Sequence, residues 1–80
     1  MKERRIAQRR PVLMMGVIVF REEEPRIRCK VRDISELGAG LEISASVNIP
    51  QEFDLVVEGI RRRCRFVWRS GTRVGVAFRD

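Results

Sequence analysis

Apolar and charged residues alternate through most of this chain. Ile27, Cys29 and Val31 alternate with Arg28, Lys30 and Arg32. Phe53, Leu55 and Val57 share one parity of a second segment, and Val74, Val76 and Phe78 alternate with Arg73, Gly75 and Ala77 in a third. In a fourth, Ile60, Cys64, Phe66 and Trp68 fall opposite Arg61, Arg63, Arg65 and Arg69, with Arg62 interrupting the apolar side. A period of two is the mark of half-buried strands. Residues 12–20 form an unbroken nonpolar run that reads as a more deeply buried strand, and Leu41 and Ile43 flank Glu42 in a short one. Turn chemistry divides the segments: Glu58-Gly59 as a tight hairpin, Ser70-Gly71-Thr72 as the next turn, residues 22–25 after the first strand and residues 44–51 as the longest connection. The pattern predicts six strands at residues 12–20, 26–34, 39–43, 52–57, 60–69 and 73–79. Close spacing without a helical stretch predicts an all-β fold, a small six-stranded antiparallel barrel whose closure hides its edges.

Residues 1–11 differ. They are basic, hold one large apolar side chain between Lys2 and Arg10, Ile6, and are expected to form a flexible N-terminal arm before a single barrel domain over residues 12–80. A basic start followed by a nonpolar run superficially resembles a signal peptide. The run is too short to span a bilayer, and no small-residue cleavage site follows it. A cytoplasmic protein without membrane insertion is the expectation. Cys29 and Cys64 lie far apart among alternating apolar residues, so they read as two buried, reduced thiols.

The 80 residues carry a net charge of +6, and 15 of the 17 basic residues are arginine. Such a balance calls for an anionic partner, and the planar guanidinium favours bidentate recognition of phosphate or guanine edges. There is no histidine, no metal-ligand cluster and no pair of catalytic carboxylates, so no catalytic residue, metal site or cofactor is expected and an enzyme is excluded. Arg5 and Arg9 stand four apart, but the same spacing recurs at Arg28/Arg32, Arg61/Arg65, Arg65/Arg69 and Arg69/Arg73. The N-terminal pair alone lies outside the strands, where it is free to close over a ligand. At a strand end, Asp33 and Ser35 project to the same side. The Asp33 carboxylate suits the N1–H and N2–H₂ edge of guanine, and Gly38 would admit a phosphate close to the backbone. Trp68, by its parity with Cys64 and Phe66, is expected in the core. Arg61, Arg62, Arg63 and Arg65 read as a solvated strand face.

Taken together, Arg5 and Arg9 (RxxxR) with Asp33, Ser35 and Gly38 (DxSxxG) resemble the two motifs of PilZ domains, bacterial receptors for cyclic di-GMP. The order of motifs and strands, and the endings Cys64-Arg65-Phe66-Val67-Trp68-Arg69 and Gly75-Val76-Ala77-Phe78, are similar too, so the resemblance spans essentially the whole chain. It implies a PilZ-like split barrel with the ligand on its outer surface. Arg5 and Arg9 would grip guanine and phosphates, with Arg4 and Arg10 as further donors, and Asp33, Ser35 and Gly38 would form the guanine-reading corner. Many members continue into a helix or an effector domain. This chain ends at Asp80, which implies a stand-alone receptor or adaptor acting through a separate downstream protein. Two other readings remain open: a general nucleic-acid-binding barrel, supported by the basic charge, and a PilZ-like scaffold without ligand binding.

Overall fold

The computed structural model describes residues 10–20 and 26–79. Its six strands are β1 (Arg10–Val19), β2 (Ile27–Ile34), β3 (Gly38–Glu42), β4 (Glu52–Val57), β5 (Ile60–Ser70) and β6 (Arg73–Phe78). All pairings are antiparallel, and the strands close into a barrel in the order β1-β2-β3-β6-β5-β4. Closure between β1 and β4 is short, running from Gly16↔Val57 to Val19↔Asp54. The first half of β1 therefore extends past the end of β4 and pairs with β2 alone among the described strands.

The alternating apolar residues meet inside. Ile18, Val31, Leu41, Phe53, Leu55, Cys64 and Val74 are fully buried, with Cys29, Ala39, Ile43 and Val76 beside them. No charged or polar side chain is buried among the described residues. Gly16 faces inward, where a Cβ would press on the Cys29 Sγ and the Leu55 and Val57 side chains at 3.2–3.3 Å. Both cysteines are free and buried. The β4–β5 hairpin turns through Glu58 and Gly59, both at positive φ (53° and 81°), which matches the right-handed twist of the strands it joins.

Four residues depart from the pattern read in the sequence. β1 begins at Arg10, so Arg10 and Pro11 belong to the first strand. A residue before proline is held extended, and Arg10 and Pro11 pair with Ile34 and Asp33. The other two share a cause. Between Phe66↔Val76 and Trp68↔Gly75 the β5–β6 register shifts, leaving Val67 as an extra residue in β5. A bulge of one residue exchanges the two faces of everything beyond it. Trp68 is thereby turned out of the core and is 45% exposed. Arg69 turns from the solvated face to the end of the barrel interior, where it pairs with the buried Val74. Its guanidinium donates to the carbonyls of Ser44, Ala45, Val47 and Gly71, tying down the start of the long β3–β4 connection.

Candidate functional site

The DxSxxG segment forms the corner between β2 and β3. The Ser35 hydroxyl accepts from the Leu37 and Gly38 backbone N–H groups (3.1 and 3.2 Å) and lies 3.4 Å from the Gly38 carbonyl, which also accepts from Ser35 N–H at 2.8 Å. The hydroxyl is thus engaged in closing the turn. Gly38 is buried, and a Cβ there would collide with the Val76 carbonyl on β6. Its glycine is what lets β3 lie against β6 immediately after the turn.

Asp33 occupies the outward position of β2 just before this corner. Its partner on β3 is Gly40, whose own partner on β6 is Gly75, and Gly75 pairs with Trp68 on β5. One outward row thus crosses four strands: Asp33, Gly40, Gly75, Trp68. The end residues lean inward over the two glycines. A Cβ on Gly40 would stand 2.6 Å from Asp33 Oδ2 and 2.9 Å from Oδ1. A Cβ on Gly75 would strike the indole, 2.5 Å from Cε2 and 2.7 Å from Cδ1 of Trp68. Three strand spacings separate the two outer backbones, about 14 Å. A carboxylate and an aromatic ring thus face each other across a floor without side chains.

The surroundings are basic. In the neighbouring outward row, Gly38 pairs with Ala77 and Ala77 with Arg65, so the small-residue floor continues to an exposed guanidinium. On the other side, exposed Arg73 pairs with Glu42. Arg32, the bulge residue of β2, donates to Glu42 Oε1 at 2.8 Å. Around the barrel from the floor, Asp54 holds Arg61 Nε at 2.6 Å and Arg63 Nη1 at 3.2 Å. Arg62 is half-buried, its guanidinium 4.0 Å from the centre of the Phe78 ring. The arginine face of β5 is therefore largely committed to its neighbours, and Arg65 lies nearest the glycine floor.

Among the site residues read from the sequence, the structure brings Asp33, Ser35 and Gly38 into one corner, with exposed Arg10 at the adjoining end of β1. Arg4, Arg5 and Arg9 lie outside the described residues. The chain reaches them directly from Arg10, whose partner Ile34 is the neighbour of both Asp33 and Ser35. Missing from the sequence reading were Trp68, Gly40 and Gly75. The glycines carried a signal: a glycine inside a strand marks close approach of something to the backbone. Among the described residues, no group of three or more acidic or cysteine side chains could hold a metal ion, and no helix is long and apolar enough to cross a membrane.

The PilZ domain family model matches residues 3–80, essentially the whole chain. No curated protein matches it. With six antiparallel strands closed into a barrel and the match running from end to end, the chain belongs to the PilZ domain family, whose members are ligand-binding signalling domains.

Proposed function

We propose that this domain binds cyclic di-GMP on the wall formed by β2, β3, β6 and β5, and that it acts as a small receptor or adaptor. The observation that carries this reading is the convergence of Asp33 and Trp68 over the Gly40–Gly75 pair, beside the point where the arginine arm joins the barrel. A guanine lying on that floor can stack on the indole while its N1–H and N2–H₂ edge donates to the Asp33 carboxylate, an edge that adenine lacks. Arg5 and Arg9 arrive from the β1 end to take the guanine O6 and N7 and the phosphates. Ser35 and Gly38 shape the corner that sets the position of Asp33. Each bidentate arginine–guanine contact contributes about 1–3 kcal/mol, so two of them offset part of the cost of fixing the arm, about 1–2 kcal/mol per residue, and pairing with the phosphates supplies the rest.

Titration calorimetry of the full chain with cyclic di-GMP tests the reading. Saturable binding is expected, weakened at least tenfold in Asp33→Ala and in Arg9→Ala. Absence of heat with the intact protein, or unchanged affinity in both variants, overturns it. A second reading has one observation in its favour: an exposed tryptophan close to Arg65 and Arg73 also suits single-stranded nucleic acid. That reading expects binding of an oligonucleotide with a steep salt dependence and no competition by cyclic di-GMP.

A further inference from the structure

The opposite side of the barrel carries the reverse pattern. In the closed strand order, β1 and β4 lie across from β6 and β3. On β1 the inward Met14, Gly16 and Ile18 leave Leu13, Met15 and Val17 facing out. Leu13 is 83% exposed and Met15 60%, and half-exposed Val17 pairs with half-exposed Val56 on β4. Single exposed apolar residues are ordinary, whereas a contiguous row on one wall marks an interaction surface. The next row out is cationic: Met15 pairs with Lys30 and Val17 with Arg28. Neither cation has an ion pair among the described residues.

We propose that this wall docks an acidic amphipathic helix of a partner protein. Leu13, Met15 and Val17 are spaced by two strand residues, about 6.7 Å, close to the roughly 6 Å between helix positions four apart. Three apolar side chains on one helix face can therefore follow the row, while carboxylates flanking that face meet Arg28 and Lys30. Strand addition is the poorer use of the same surface. The open stretch of β1 contains Pro11, which has no N–H to offer, and a register irregularity between Pro11 and Met14, both devices that blunt an edge. A second copy of the chain would present its own Arg28 and Lys30 beside the apolar row, raising like-charge density in the interface. An anionic bilayer would meet the Asp54 carboxylate two residues from Val56 on the same wall, and the exposed Ile60 beside the hairpin tip lies on β5, off the Leu13–Val17 row. The wall is separate from the glycine floor, so the inference holds whatever that floor binds.

The test places a photo-crosslinking benzoylphenylalanine at position 15 of the full chain, with position 77 on the glycine floor as control, in cells of the native host. The cross-linked segment is mapped by mass spectrometry, synthesised, and titrated against the purified protein by fluorescence anisotropy. The expected result is a segment rich in Asp and Glu that is helical by circular dichroism when bound. Its affinity should fall at least tenfold in Met15→Glu and in Lys30→Glu, and fall again with added salt. Leu13→Ser, which adds no charge, should weaken binding without changing the melting temperature. Cross-links from position 15 to a second copy of the chain, to phospholipid or to nucleic acid overturn the proposal. So does a mapped segment that lacks carboxylates, or no product beyond that of position 77. Cyclic di-GMP titration of the same variants separates failure here from failure of the ligand reading.

Discussion

Trp68 lies over Gly75 on the outside of the barrel, its ring so close to the strand that no side chain other than hydrogen fits beneath it. The pairing fixes the indole on the floor it shares with Asp33. Because Trp68 is the sole tryptophan, intrinsic fluorescence reports on this position alone. Cyclic di-GMP is expected to change its emission. Trp68→Ala should lose about 1–3 kcal/mol of binding, roughly 5- to 150-fold in affinity, with little change in folding because the ring contributes nothing to the core. Gly75→Ala should displace the ring and reproduce the loss of affinity while leaving the tryptophan in the chain. Unchanged affinity in both variants would remove Trp68 from the site.

The six strands were readable because a barrel this small leaves its strands half-buried, and half-burial writes itself as alternation. Apart from the start of β1 at Arg10, the stretch that misled is Phe66-Val67-Trp68. All three are apolar, so the pattern there has no parity of its own, and the register against β6 decides which of them is extra. Once Val67 is the bulge, Trp68 and Arg69 exchange the faces that alternation assigns them. Asp33, Ser35 and Gly38 were visible as a motif, but their division of labour was not. Ser35 and Gly38 build the corner through the turn bonds and the β3–β6 contact, and Asp33 alone projects over the floor. The convergence with Trp68 depends on which strands are neighbours, and strand order cannot be read from local periodicity.

Arg69 makes a structural prediction independent of any ligand. Its guanidinium reaches four backbone carbonyls, three of them in the connection between β3 and β4. Hydrogen bonds from a charged donor contribute about 1.5–3 kcal/mol, and those carbonyls are left without this donor when it is removed. Arg69→Ala should lower the melting temperature by roughly 10 °C, since about 1 kcal/mol corresponds to 4–8 °C in a domain of this size. Arg69→Lys should recover only part of the loss, because one ammonium cannot span the fork. Ligand affinity should fall far less than in Trp68→Ala, because the Arg69 side chain turns to the end of the barrel interior while the neighbouring Trp68 stays seated on Gly75. A melting temperature within 2 °C of the parent, on the scale of a surface substitution, would refute the clamp.

Cys29 and Cys64 should be silent in the folded protein. Burial pushes the Cys29 thiol up to about 11, and the hydrogen bond from the Gly16 backbone only partly opposes it. The thiolate is the reactive form, so at neutral pH this sulfur is both hidden and protonated. Ellman's reagent should detect no thiol in the native state and two after denaturation, consistent with the free cysteines of the core. Fast reaction of either thiol under native conditions would contradict the packing of the β1–β2–β5 interior.

Asp54 gives the domain an acid-sensitive element. Partial burial raises its carboxyl pKa, but hydrogen bonds and charge from Arg61 and Arg63 outweigh that and hold it below the ordinary value of 3.8. A group whose folded pKa is depressed contributes stability above its unfolded pKa and loses it as pH falls through the folded value. The contribution is modest, a few tenths to about 1 kcal/mol, because both arginines are half exposed to solvent that screens the pairs. Asp54→Asn should therefore be less stable than the parent by a constant amount from neutral pH down to about 5. The two unfolding curves should then converge as pH drops below about 4, where the parent carboxylate is protonated too. Urea denaturation at a series of pH values measures the difference directly. A gap that stays constant down to pH 2, or widens on acidification, would show that the ion pairs are not its source.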